Sequence, residues 1–447
     1  MKLSITEVAA LFSANYSDPR MITGVEFDSR KIKPGNLFVP LAGARDGHEF
    51  IDQAIENGAI ATFWSQDEAA PSTITSIKVT DVLAAFQTLA TYYREKTAPK
   101  VVAITGSNGK TTTKDMTESV LSQRFKTYKT QGNYNNEIGL PYTLLHMPST
   151  TEVIVLEMGM DQAGDLTLLS TIAKPDIAAI TMIGEAHIEN LGSRANIAAG
   201  KMEITAALAL DGALIVPYNE PLLRPLTEKL SQKVYTFGIG EGEISAQISE
   251  ETRDYTRFLV EEQLYEIPVL GSYNVTNALI AIEIGRLLGV APEQIQHGLA
   301  TFELTKQRTE WLKAYNGADL LSDVYNANPT AMSLVLDSFG KLPVPGKKIA
   351  VLADMLELGP DELAMHAAMS SHLAGYDELY LYGRRMEALA ALIPETYPEL
   401  TYHVFKESEK EALMTALKQR ITPTDSILFK GSNGMGLAEI VTFLQNN

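Results

Sequence analysis

Val101-Val102-Ala103-Ile104-Thr105-Gly106-Ser107-Asn108-Gly109-Lys110-Thr111-Thr112-Thr113 is the stretch from which the fold is read. Its apolar, partly β-branched start reads as a buried strand, broken at Gly106 and followed after Lys110 by residues that can be helical. A glycine turn and a helix N-terminus then stand at the end of a strand, where unpaired backbone N–H groups attract phosphate. Gly106, Ser107, Asn108, Gly109, Lys110, Thr111 and Thr112 are therefore expected to hold the phosphates of ATP. Lys110 supplies a mobile charge for the β- and γ-phosphates, and the Thr111 hydroxyl is placed for Mg²⁺. The spacing departs from G-x-x-x-x-G-K-[ST], because position 104 is Ile. The surrounding strand and helix carry the reading instead.

Outward from this loop, 447 residues exceed one ordinary core, so several domains are expected. A formal net charge of −18 argues against nucleic-acid binding and against an anionic membrane surface. Any phosphate-bearing ligand must then be held by local donors. With no cysteine, disulfides and thiolate metal sites are excluded. Glu7 interrupts the first apolar stretch, and Ser4-x-x-Glu7 reads as a helix capping box rather than a signal peptide. No apolar run reaches the ~18 residues that span a bilayer. A cytoplasmic location is expected.

Proline after Thr97-Ala98 marks a boundary between a charged helical stretch and the strand that begins near Lys100. Beyond it, Val153–Leu156 and Ile177–Ile183 read as buried strands of a parallel sheet covered on both faces. The alternation restarts near 310, with short strands at Leu320–Val324, Ile349–Leu352, Leu379–Tyr382, Tyr402–Phe405 and Ile427–Phe429. The expected fold class is thus α/β in three domains. Residues 1–98 form a small α/β unit, 99–309 a central P-loop domain with a parallel sheet, and 310–447 a C-terminal Rossmann-like unit.

Ligands of open parallel sheets bind beyond the carboxyl ends of the strands. Glu157 stands at such an end beside the phosphate loop, where a carboxylate reaches the metal bound to ATP. His187 and Lys201 follow further along. Taken singly, a loop histidine and a lone lysine are ordinarily solvated. Asn133, Asn135 and Asn136 make one amide-rich loop, which suits a site joining an acid to an amine or simply a surface turn. A second amide cluster, Asp323-Val324-Tyr325-Asn326-Ala327-Asn328-Pro329, ends the first strand of the last domain. Its Asp323 can accept from ribose hydroxyls and Tyr325 can stack on a base.

Together these pieces resemble the Mur ligases, the ATP-dependent amide-forming enzymes of bacterial peptidoglycan synthesis. Thr105 to Thr112 is similar to the family's phosphate loop, and the likeness spans the whole chain. Asp28-Ser29-Arg30 through Gly47-His48, Tyr325-Asn326-Ala327-Asn328-Pro329 and Ala353-Asp354-Met355-Leu356-Glu357-Leu358-Gly359 resemble the branch that joins D-alanyl-D-alanine to UDP-N-acetylmuramoyl-tripeptide. The resemblance implies that Thr111, Glu157 and His187 hold Mg²⁺, with Lys201 carrying a CO₂-derived carbamate as a further ligand. It places Asn274 and Asn277 near adenine, and Arg308, Asp323 and Tyr325 on the nucleotide. Ser29 and Arg30 would meet the uridine part. Asn133, Asn135, Asn136, Asn326 and Asn328 would line the site where peptide and dipeptide meet. Where many relatives have Lys-Gly-Ser-Arg, this chain has Asn433 in place of the arginine. The implied catalytic set is Lys110, Glu157, His187 and Lys201, the implied reaction runs through an acyl phosphate, and a monomer is expected. A Mur-type ligase adding a single residue, a kinase and a P-loop switch without ligase activity are the alternatives.

Overall fold

The protein is described by a computed structural model covering residues 1–14 and 16–446. Four strands, Gly24–Glu26, Asn36–Phe38, Ala61–Trp64 and Thr75–Lys78, pair in parallel as the N-terminal sheet. Ser4 caps the first helix, its Oγ accepting from the Glu7 N–H at 3.1 Å. Asp81 caps the helix Val82–Thr97 in the same way. That helix ends at Ala98 in the left-handed conformation, and Pro99 prevents its continuation. Val82, Phe86, Leu89 and Tyr93 form its buried stripe at helical spacing.

The stripe packs into an apolar cluster that runs from the N-terminal sheet onto one face of the central sheet, through Val101, Ala103, Ile154, Leu156, Ala178 and Ile180. The alternate residues Val102, Ile104, Val153, Val155, Ile177 and Ala179 face the opposite cluster, with Met116, Val120, Leu279 and Ile295. Burial on both faces explains why these strands read as continuous apolar runs. Each fully buried side chain of this kind contributes about 1.5–3 kcal/mol.

The central sheet has nine strands and carries the expected parallel arrangement, with an antiparallel addition at one edge. Strands Thr127–Lys129, Val153–Glu157, Lys100–Thr105, Ile177–Ile180, Ala213–Pro217 and Lys233–Ile239 are parallel neighbours in that order. Ile244–Glu251 joins this run in parallel, and Thr256–Val260 and Gln263–Ile267 then extend the edge from it as an antiparallel meander. Their outer residues alternate with polar ones, so they lack a double-faced apolar signal. The strand expected to reach Ile183 stops at Ile180, because the following backbone turns to meet the phosphate loop: Ser107 N–H donates to Met182 O at 3.0 Å.

The C-terminal sheet has six strands. Asp319–Asp323, Ser426–Lys430, Lys348–Ala353, Glu378–Tyr382 and Thr401–Phe405 are parallel neighbours, and Glu310–Lys313 closes one edge antiparallel. Apolar clusters cover both its faces. Among the described residues no helix is long and apolar enough to cross a membrane.

Candidate active site

The carboxyl ends of the central strands face the C-terminal domain across a cavity of about 610 Å³. Gly106 leaves its strand at φ 149° and Gly109 starts the helix Lys110–Ser122 at φ 81°. A Cβ on Gly106 would lie 1.8 Å from Thr181 Oγ1, and one on Gly109 would lie 2.4 Å from Asn277 Oδ1. Both glycines are required by close approach as well as by backbone conformation. The helix's first N–H groups point into the cavity edge where the strand ends. Thr111 and Thr112 are buried there, and the buried Ser107 hydroxyl has no hydrogen-bond partner.

Lys110 Nζ donates to Gly106 O at 2.8 Å and so lies folded across its own loop. Burial lowers its ammonium pKa, Arg308 adds to that, and Glu157 and Asp161 oppose it. Glu157 is buried at the end of its strand, with Oε1 accepting from Asn135 Nδ2 at 2.9 Å. Glu157 Oε2 is buried and unpartnered, which is costly unless a ligand completes it. His187 sits at φ 60°, its Nδ1 2.9 Å from Glu357 Oε2 and 3.4 Å from Asp161 Oδ1. Those carboxylates leave Nε2 as the nitrogen available to a ligand.

From the C-terminal side, Asp323, Tyr325 and Asn326 line the same cavity, with Arg308 from the linker stacked 4.1 Å above the Tyr325 ring. Tyr325 thus has one face covered by a guanidinium. Asn328 lies deeper. Its Nδ2 donates to Asn108 Oδ1 at 2.9 Å and its Oδ1 accepts from Asn108 Nδ2 at 3.1 Å, joining the phosphate loop to the last domain. Asn328 Oδ1 also caps the helix Pro329–Lys341 through Ala331 N–H. Both amides expected to meet ligands are therefore engaged with each other.

Comparison with known proteins follows this geometry. A UDP-N-acetylmuramoyl-tripeptide–D-alanyl-D-alanine ligase from Bacillus subtilis is 40% identical over 457 residues, covering 99% of this chain and 98% of that protein. The chain belongs to the Mur ligase family. Models of the Mur ligase catalytic domain, middle domain and glutamate ligase domain match residues 21–95, 104–285 and 307–433. A crystal structure of MurF from Acinetobacter baumannii superposes with a TM-score of 0.89 at 27% identity, covering 100% of this chain and 99% of that one. A MurF ligase from Thermotoga maritima in complex with ADP gives 0.83 at 25% identity, covering 95% and 97%.

Within this Mur ligase, the other expected site residues divide between the cavity and the rest of the protein. Asn274 Nδ2 donates to Leu270 O at 2.8 Å, and Asn277 bridges Asn274 and Thr113 beneath Gly109. Their amides therefore brace the phosphate loop from the helix Ser272–Leu287, although both residues border the cavity. Asn133 and Asn135 line the cavity, whereas Asn136 Oδ1 turns back to accept from the Gly139 N–H at 2.9 Å, opening the helix Gly139–His146. In the N-terminal domain Ser29 Oγ donates to Gln53 Oε1 at 2.6 Å, and exposed Arg30 pairs with Asp28 at 2.9 Å. Neither lines this cavity. Asn433 is exposed on the turn after Ser426–Lys430.

Lys201 lies beneath the cavity rather than on its wall, and is buried. Among the described residues no acceptor hydrogen-bonds its ammonium. Burial, helped by Lys110 and opposed by Asp161, pushes its pKa well below the usual lysine value. The unfolded chain then binds the proton more tightly, so stability rises with pH from the depressed value up to roughly 10.4. Lys201→Met should raise the neutral-pH melting temperature and flatten that slope in thermal denaturation.

Three features escaped the sequence reading. Thr181 braces the loop, its hydroxyl donating to Asn108 O and its N–H to Thr105 O. Glu185 receives the Thr330 hydroxyl at 2.7 Å across the domain boundary. Glu357 meets His187. Their partners lie far away in the sequence, and such long-range pairings leave no spacing signal. The Asn108–Asn328 pair is separable by substitution: Asn328→Asp keeps the helix cap and loses the donor, whereas Asn328→Ala loses both. The alanine variant should be less stable than the aspartate variant by about 1 kcal/mol, measured by chemical denaturation.

Proposed function

We infer that this protein joins D-alanyl-D-alanine to UDP-N-acetylmuramoyl-tripeptide with ATP, through an acyl phosphate, to give the UDP-linked pentapeptide. The observation that carries this reading is the phosphate cradle of Gly106–Thr112 facing Asp323, Tyr325 and Asn326 across one cavity. Near-complete coverage of relatives named for that reaction supports it. The working units are taken as residues 1–98 for the UDP-sugar-peptide, 99–309 for ATP and 310–447 for closing the site.

The residues fit Mg²⁺. Unpartnered Glu157 Oε2 and the Thr111 hydroxyl stand at the loop, with His187 Nε2 as a further donor. Among the described residues no three His, Cys, Asp or Glu side chains form a ready cluster. That suits a hard cation held largely by phosphate oxygens and water. When bound, Mg²⁺ supplies charge neutralisation between the β- and γ-phosphates. Burial shifts Lys201 toward the neutral amine that CO₂ requires to form a carbamate, which would add two anionic oxygens.

An oxygen of the tripeptide carboxylate attacks the γ-phosphorus while the bond to the bridging oxygen breaks and ADP leaves. Lys110 leaves Gly106 O for the developing charge, and the helix N–H groups hold the phosphates without reorganisation. The dipeptide amine then attacks the acyl carbon, the carbon–oxygen bond to phosphate breaks, and the amine's proton leaves with the phosphate as hydrogen phosphate. The acyl phosphate must be kept from water. The Asn108–Asn328 and Glu185–Thr330 bonds hold the C-terminal domain over the site for that purpose.

The test is mass spectrometry of a reaction with Mg²⁺-ATP, D-alanyl-D-alanine and lysine- or diaminopimelate-containing UDP-N-acetylmuramoyl-tripeptide. A pentapeptide with equimolar phosphate is expected. ATP hydrolysis indifferent to both substrates would reject the ligase reading.

A further inference from the structure

Lys430 ends the strand Ser426–Lys430 in register with Asp323, the last residue of the neighbouring strand. Its side chain is 4% exposed, yet it borders the nucleotide cavity. Nζ donates to Asp323 Oδ2 at 2.7 Å and to Asn326 O at 2.7 Å. Burying an ammonium costs several kcal/mol unless its partners are well placed, and here both partners belong to the wall of the site. Asp323 Oδ1 has no hydrogen-bond partner among the described residues and stays accessible at the cavity.

We propose that Lys430 is a positioning residue for the nucleotide, holding Asp323 by one carboxylate oxygen so that the other receives the ribose hydroxyls. The second bond, to Asn326 O, ties down the loop that sets Tyr325 under Arg308. The proposal rests on the reading that Asp323 meets the ribose. A free carboxylate at the end of a strand has two soft side-chain torsions. Pinning one oxygen removes that freedom before the ligand arrives, which is where preorganisation raises affinity. A merely structural ion pair would stabilise the fold without favouring a ligand that carries the two hydroxyls.

The test compares ADP with 2′,3′-dideoxyADP by calorimetric titration of the full chain, a measurement independent of ligase turnover. The natural protein should prefer ADP by about tenfold or more, as for hydrogen bonds to a charged acceptor. Lys430→Met should reduce that preference to within about threefold, mainly by weakening ADP. On an Asp323→Asn background Lys430→Met should add little, because both act on the same contact. Lys430→Gln, neutral and shorter, carries the same expectation should the methionine variant not fold. A preference retained in Lys430→Met but lost in Asp323→Asn overturns the positioning role and leaves the ribose contact standing. A preference retained in both overturns the contact as well. Failure of the pentapeptide assay would instead strike the ligase reading, leaving the titration interpretable.

Discussion

Lys110→Ala is expected to lower turnover by at least about 10²–10³-fold, the loss typical of one preorganised donor at a developing charge. The lysine opens the helix Lys110–Ser122, and its ammonium rests on Gly106 O, the carbonyl of the loop that would surround the phosphates. Binding of ADP should weaken far less than turnover falls, because the backbone donors remain. Lys110→Arg should not restore the rate, since the larger guanidinium does not fit a lysine folded within its own loop. Steady-state kinetics beside ADP titration checks both statements. A near-natural rate for the alanine variant would remove Lys110 from the chemistry.

Glu157→Gln is expected to move activity and stability in opposite directions. The side chain is buried, with Oε1 fixed by Asn135 and Oε2 unpartnered. A buried carboxylate left half-satisfied destabilises the fold, and a neutral amide of the same shape relieves part of that cost. The melting temperature should therefore hold or rise. Losing an anionic oxygen at the proposed metal position should lower turnover by about 10–100-fold and raise the Mg²⁺ concentration needed for half-maximal rate. Thermal denaturation and a Mg²⁺ titration of activity separate the effects. A lower melting temperature with an unchanged Mg²⁺ requirement would identify Glu157 as a structural residue.

The phosphate loop was legible because its chemistry is local: glycines, lysine and threonine lie within seven residues and face one helix end. Glu157 was legible from its place after an apolar run. The double-faced strands were legible for the same reason, whereas the antiparallel meander at 244–267 was not, since its buried residues are interspersed with partly buried or exposed ones. The amides were read least well. Asparagine donates and accepts equally well to ligand, backbone or another asparagine, and its type does not reveal which partner it has found. Asn136, Asn274, Asn277 and Asn328 all spend amide groups on the protein itself. Lys430 was legible only as the lysine of the Lys-Gly-Ser stretch before Asn433. Its bond to Asp323 comes from strand register, a relation between residues more than one hundred positions apart.

The apolar cluster shared by the N-terminal sheet, the helix Val82–Thr97 and one face of the central sheet has a consequence for how the molecule comes apart. Neither partner can lose its fold without exposing the other's core, so the first two domains should melt as one cooperative unit. The C-terminal sheet has cores of its own, which Leu270 and Ile188 of the central region join, and it is tied to the rest also by polar bonds, among them Arg253 to Asp319 and Glu185 to Thr330. Its amides should exchange with deuterium in a distinct, lower-energy opening. The candidate cleft thus lies along the seam between two foldons: the half with the glycine loop is anchored in the larger one, and the half with Asp323 and Tyr325 belongs to the smaller.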